Sequence, residues 1–223
     1  MRLPGPVYPI LDTILSRKMS QSHSELLRLW DSLGLKYYQL RAKDLTSRDY
    51  EKTARNLKKE FPCLHLIAND YLEIAMENRE TFSGIHIGQE DKSVLKARLM
   101  ERMFQEKDFI TGMSTHSFLQ LEKETAFPWS YTAFGPLFST HSKENPSVTV
   151  TAEEIGRVLD FFAKGDRHER QDLVFIGGIS AGNFRQKLPV NCQEKYGFQP
   201  AAAVIQTAMS AGSLKGLLEL YNG

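Results

Sequence analysis

The chain lacks several features that would settle its class at once. Cysteine is scarce: Cys63 and Cys192 are its only two, far apart and without zinc-ligand spacing. A disulfide scaffold is therefore not indicated, and a reducing cytoplasm is the expected setting. No run of 18 apolar residues occurs, and Pro4, Pro6 and Pro9 interrupt the N-terminal segment, so neither a membrane span nor a secretory leader is expected. Excess charge of one sign is also missing, with 28 Lys and Arg against 27 Asp and Glu. Without a basic field, neither nucleic acid nor an anionic membrane is an expected partner, and any anion must be met by locally placed cations. No G-x-G-x-x-G turn follows the first apolar run, and no G-x-x-x-x-G-K-[ST] loop is present. That removes two signatures of nucleotide-binding open sheets.

What is present is an alternation. Short apolar or β-branched runs at Val7–Asp12, Leu35–Lys43, Leu64–Asn69, Gly84–Gly88, Phe109–Thr115, Tyr131–Pro136, Leu173–Gly178 and Ala201–Gln206 read as strands. Charge-dotted stretches near 23–33, 47–60, 71–78, 94–105, 117–126, 152–163, 181–187 and 214–221 read as helices. One helix between successive strands implies right-handed parallel crossovers. Eight such units in 223 residues predict an α/β fold, a single-domain (β/α)8 TIM barrel over residues 1–223, rather than an open doubly wound sheet. Two longer connections stand out: a polar, hydroxyl-rich loop at 137–150 after the sixth strand, and a charge run at 164–172 read as a solvated loop.

Active sites of such barrels lie at the C-terminal ends of the strands, and the unusual polar residues fall there. Strand periodicity turns Gln39, Arg41 and Lys43 to the lumen and Leu40 and Ala42 toward the helices. Two cations beside a packed interior need an anion, either a neighbouring carboxylate or a ligand phosphate. Asp70 and Asp91 end adjacent strands, so they are expected at one rim, as an oxygen-ligand pair for Mg2+ or as members of a salt-bridge network. Asp70 alone could instead cap the next helix. Ser114 and His116 share a face of the fifth strand. No G-x-S-x-G elbow surrounds the serine, so it reads as a hydrogen-bonding or proton-relay group, and His116 as either a proton carrier or an orienting group. His65 and His86 read as satisfied core histidines. In the loop after strand six, Thr140, Ser142 and Lys143 offer hydroxyls and a mobile charge suited to a diphosphate. Gly177 and Gly178 lead into Ser180 and Asn183, and bare amides there suit a second phosphate.

Taken together, YPILD (8–12), QLRAK (39–43), IAND (67–70), GIHIGQED (84–91), GMSTHS (112–117), FGPLFSTHSK (134–143), IGGI (176–179) and AVIQTAMSA (203–211) resemble the thiamine phosphate synthase family, in family order and over nearly the whole chain. The resemblance implies a transferase that joins hydroxymethylpyrimidine diphosphate to thiazole phosphate and releases pyrophosphate. By the same resemblance, Gln39, Arg41, Lys43 and Asn69 would contact the pyrimidine diphosphate, and Asp70 and Asp91 would hold Mg2+. Thr140, Ser142 and Lys143 would grip the pyrophosphate or thiazole phosphate, Gly178 would offer its amide to the thiazole phosphate, and Ser114 would sit by the pyrimidine amine. Arg41, Lys143 and Ser114 would be the groups acting in catalysis.

The chain departs from the family pattern at four places. Gln206 stands where a phosphate-binding Ser is usual, Tyr71 where Arg is, Lys92-Ser93 where Leu-Pro is, and Ser142 where Thr is. Gln206 could still donate to a phosphate. Two alternatives stand beside the synthase reading. One is the related thiazole tautomerase branch, in which His116 would be the acid–base group. The other is a non-catalytic barrel that binds thiamine precursors. Small molecules are the expected partners in every case, and the sequence is compatible with a homo-oligomer.

Overall fold

Alternating residues along each strand must point to opposite sides of a sheet, and here the two sets pack into two separate cores. The computed structural model describes residues 7–94, 97–139, 148–164, 167–187, 192–205 and 211–222. Its elements run β1 (Val7–Asp12), α1 (Thr13–Lys18), α2 (His23–Ser32), β2 (Tyr37–Arg41), α3 (Ser47–Glu60), β3 (His65–Asn69), α4 (Leu72–Glu77), β4 (Phe82–Ile87), α5 (Gln89–Val94), α6 (Ala97–Gln105), β5 (Ile110–Thr115) and α7 (Phe118–Glu124). They continue with β6 (Tyr131–Phe134), α8 (Ala152–Ala163), α9 (Arg167–Arg170), β7 (Asp172–Ile176), α10 (Phe184–Lys187), α11 (Cys192–Tyr196), β8 (Ala201–Ile205) and α12 (Ala211–Asn222). The strands form a closed parallel barrel in chain order, sealed where Val7–Ile10 of β1 pair with Ala202–Ile205 of β8. Among the described residues no helix is long and apolar enough to cross a membrane.

The outer core holds Leu11, Leu40, Leu66, Ile85, Met113, Phe134 and Phe175 from the strands, packed on Leu27, Tyr50, Ala75, Leu121, Leu159 and Leu217 from the helices. The inner core is smaller: Tyr8, Ile10, Tyr37, Ile67, Ile110, Tyr131, Ala133 and Val174. Large inner side chains fit because glycines face them. A Cβ on Gly112 would overlap the ring of Tyr131, its register partner on β6, so the bare glycine is what lets a tyrosine enter the lumen.

Strand and helix positions follow the sequence expectation closely, with local differences. β7 ends at Ile176 because Gly177 and Gly178 take positive φ values of 95° and 64° and leave the strand. The helix expected near 94–105 is α6, and the short α5 before it was not expected. Short α1 and α11 were not anticipated. α1 is stabilised by Asp12, whose side chain accepts a bond from the Leu15 amide at 3.0 Å. Within the charge run at 164–172, the expected loop contains the single turn α9. Its Arg167 donates to the Lys164 carbonyl at 2.6 Å and lies 4.1 Å from the centre of the Phe161 ring, so one of those charges is anchored.

Candidate active site

The strand ends from β1 to β5 carry a connected set of charged and polar groups. Arg41 pairs with Asp12, its register partner on β1. The Asp12 side chain is only 1% exposed and that of Arg41 15%, so this is a nearly buried ion pair that opens to the mouth on the arginine side. The carboxylate that meets Arg41 comes from a neighbouring strand. Gln39 is buried one pleat deeper and donates to the Tyr8 hydroxyl at 3.2 Å. Lys43, half exposed, lies 3.1 Å from an oxygen of Asp70, and the Asn69 amide donates to that same oxygen.

Asp70 does not cap α4, whose N-cap is Tyr71 and which has no side-chain cap. It adopts a left-handed φ of 69°, with its amide bonded to the His86 carbonyl at 3.0 Å. That conformation is costly outside glycine and turns the carboxylate toward Lys43 and Asp91. Burial pushes the Asp91 carboxyl up, and so do the charge of Asp70 and a hydrogen bond with it, while Lys43 pulls it down. Two touching carboxylates with one half-exposed lysine are short of positive charge. An all-oxygen donor pair of this kind suits a hard divalent cation that keeps waters and takes further ligands from phosphates. A Cβ on Gly88 would come within 2.8 Å of Asp91, so glycine there leaves the carboxylate its place.

Ser114, at the end of β5, is held from two sides. Gln89 donates to its carbonyl at 2.7 Å, and its hydroxyl lies 2.8 Å from Nε2 of His86. His116 points elsewhere: its Nδ1 donates to the Gly135 carbonyl at 2.7 Å, and its amide is bonded by the Gln120 side chain at 2.7 Å. His116 thus ties the ends of β5 and β6 together.

Among the described residues the β6–β7 side is made of backbone. The Leu137 and Phe138 amides bond the carbonyls of Ile176 and Gly177 at 2.9 and 3.0 Å. A Cβ on Gly178 would come within 2.7 Å of the Ser139 carbonyl. The Asn183 side chain closes the turn, donating to the Gly178 carbonyl and accepting from the Ser180 amide, at 2.7 and 2.8 Å. Lys187 donates to the carbonyls of Leu137 and Val150 at 2.6 and 3.0 Å, pinning the base of the loop between them. Thr140, Ser142, Lys143 and Gln206 lie outside the described residues.

The sequence profile described as thiamine monophosphate synthase matches residues 7–194. The chain belongs to the thiamine monophosphate synthase family. It is 33% identical over 153 residues to a thiamine-phosphate synthase of Koribacter versatilis, covering 68% of this chain and 66% of that one. To the thiamine-phosphate synthase of Lawsonia intracellularis it is 31% identical over 186 residues, covering 82% and 79%. Its fold is similar to that of a thiamine phosphate pyrophosphorylase from Pyrococcus furiosus, with a TM-score of 0.67 at 18% identity over 97% of this chain and 95% of that one. The family's members named here are transferases, and the chain is an enzyme of that kind.

Two of the family departures have local structural reasons. Tyr71 stacks on Tyr50 at 4.1 Å and donates to the Leu45 carbonyl at 3.1 Å, linking the loops that carry Asp70 and Lys43. Lys92 donates to both oxygens of Glu124, at 2.8 and 2.6 Å, and lies 4.1 Å from the centre of the Phe127 ring. It anchors α5, which bears Asp91, to the segment leading into β6. Sequence reasoning missed Asp12, Tyr8, Tyr131 and Gln89 as members of this site. Asp12 had a signal: it lies in phase with Tyr8 and Ile10 on the lumen face of β1.

Proposed function

We propose that this chain joins hydroxymethylpyrimidine diphosphate to thiazole phosphate, giving thiamine phosphate and pyrophosphate, in a magnesium-dependent reaction. The observation that carries the reading is the meeting of Asp70 and Asp91 beside Lys43 and Arg41 at one rim. Asp70 and Asp91 would hold the Mg2+, which would supply positive charge to a leaving diphosphate. Breaking the methylene carbon–oxygen bond sends its electron pair to the pyrophosphate, and the thiazole nitrogen then forms the new bond to that carbon. Charge builds on the leaving group, so the free donors of Arg41 and the ammonium of Lys43 would stabilise the transition state. Lys143, Thr140 and Ser142 would contact the same phosphates from the loop after β6. Gln39 and Asn69 would bind the pyrimidine side, Ser114 would meet its amine, and Gly178 and Gln206 would face the thiazole phosphate. In the tautomerase alternative His116 would act through Nε2, since its Nδ1 is held by the Gly135 carbonyl. Cys63 and Cys192 form no disulfide, which fits a cytoplasmic setting.

The test is to mix purified protein with both phosphorylated halves, with and without Mg2+, and to measure pyrophosphate and thiamine phosphate. Equal amounts of the two products are expected only with the metal, and no product at saturation would sink the reading. Asp91→Ala should lower turnover at least ~10³-fold with unchanged circular dichroism. Arg41→Ala should do the same, but it also strips buried Asp12 of its partner, so its activity must be read beside its melting temperature. Near-normal activity in Asp91→Ala would remove the metal role.

A further inference from the structure

A chain of hydrogen bonds crosses the barrel interior beneath the candidate site. Gln39 donates to the Tyr8 hydroxyl at 3.2 Å, and the Tyr131 hydroxyl donates to that same oxygen at 3.3 Å. The Tyr131 oxygen lies 2.8 Å from Nδ1 of His86, and Nε2 of His86 lies 2.8 Å from the Ser114 hydroxyl. Burial holds both phenols well above the ordinary tyrosine range, so each keeps its one proton.

Those protons have a fixed order. Tyr131 spends its only O–H on Tyr8 and can act toward His86 only as an acceptor. A neutral imidazole in this position therefore carries its proton on Nδ1, and Nε2 is left as a lone pair. Ser114 must then donate its O–H to Nε2. What the serine shows to the mouth is a lone pair, an acceptor with no proton of its own to offer.

We propose that Tyr131 and His86 are positioning residues that lock Ser114 as a hydrogen-bond acceptor, so that the site selects a pyrimidine carrying an amino group over one carrying an oxo group. An amino group donates to the fixed lone pair. A carbonyl at the same place meets it lone pair to lone pair and leaves two buried acceptors without a proton between them. The inference rests on the reading of Ser114 as the group that faces the pyrimidine amine.

The test compares binding of the amino pyrimidine diphosphate and its 4-oxo counterpart to the magnesium-loaded protein by calorimetry. Wild type should prefer the amino form by about 30-fold, within the range set by leaving a buried acceptor without a donor. In Tyr131→Phe the acceptor for Nδ1–H is gone, His86 can move its proton to Nε2, and Ser114 is free to donate outward. The preference should fall to about threefold or less, while affinity for inorganic pyrophosphate with Mg2+, which does not engage Ser114, stays unchanged. Nitrogen NMR of wild-type His86 gives a reading that needs no variant: protonation on Nδ1 is expected. Protonation on Nε2, or an unchanged preference in Tyr131→Phe with pyrophosphate binding intact, would overturn the inference. A wild type that binds both pyrimidines equally overturns it alone. A wild type that binds neither overturns the proposed function and this inference with it.

Discussion

The two halves of the barrel mouth are built from different materials. From β1 to β5 the rim is made of side-chain charges, each already in contact with another: Arg41 with Asp12, Lys43 with Asp70, Asp70 with Asp91. From β6 to β7 the described residues offer amides, carbonyls and glycines, held by main-chain bonds and by Lys187. Charges near a low-dielectric interior must be paired even when no ligand is present. Backbone needs no counter-charge, but it tolerates no added atom where chains cross closely. The first half should therefore fail when a charge is unbalanced, and the second when volume is added.

The largest effect is expected on the charged half. Asp12→Asn keeps an oxygen that can still accept from the Leu15 amide and cap α1, but it leaves the Arg41 guanidinium without its partner. Loss of one member of a buried pair costs about 3 kcal/mol or more, lowered somewhat here because Arg41 reaches the mouth. A fall in Tm on the order of 5–10 °C should follow. Added pyrophosphate should raise the melting temperature of this variant more than that of wild type, because it would meet the stranded cation. Equal increments in the two proteins would mean that Arg41 does not face the ligand.

On the backbone half, Gly178→Ala adds a Cβ within 2.7 Å of the Ser139 carbonyl at a φ of 64°. The strain should cost about 1–3 kcal/mol and raise KM for the thiazole phosphate more than for the pyrimidine. Gly182 is the matched control: its added Cβ would have only the Ser180 hydroxyl nearby, at 3.9 Å, so Gly182→Ala should behave as wild type. Similar losses in both variants would deny Gly178 its special place.

How far the sequence foretold each half follows from the range of the interactions. Strand phase is a local property, and it correctly turned Gln39, Arg41 and Lys43 one way and Leu40 and Ala42 the other. Adjacency of strands is nearly local, and it brought Asp70 and Asp91 together. Whether Arg41 would meet a protein carboxylate or a ligand turned on the register that sets Asp12 level with it, and no local pattern encodes that. The Tyr131–His86 contact was further out of reach. It needs a tyrosine on one strand to cross the lumen past a glycine on the next and arrive at a histidine 45 positions away in the chain. His86 read alone as a satisfied core residue, and it is one, but its partner Ser114 lies at the mouth. The short α9 and α11 were missed for the opposite reason: a single turn carries too few residues to show a period.

The smallest effect tests whether the charged half is complete without a cation. In the ligand-free protein the Asp91 carboxyl is raised, by burial first and by Asp70 second. A raised acid contributes stability that is fully present below its unfolded value, roughly 3.9, and that is lost as pH rises through its folded value. At neutral pH ionised Asp91 therefore weakens the empty protein slightly. Asp91→Asn should melt higher than wild type at pH 7, by on the order of 1–2 °C once solvent screening is allowed for. The gap should close as pH falls toward 4, where wild-type Asp91 takes up its proton. Mg2+ should reverse the order at pH 7, since a divalent cation between Asp70 and Asp91 turns their repulsion into attraction and the variant has lost one ligand. Thermal melts of the two proteins at pH 4 and pH 7, each with and without Mg2+, read both signs. A variant that is less stable than wild type at pH 7 without metal would mean that Lys43 alone already balances the pair. The charged rim would then be closed by the protein itself rather than left one positive ion short.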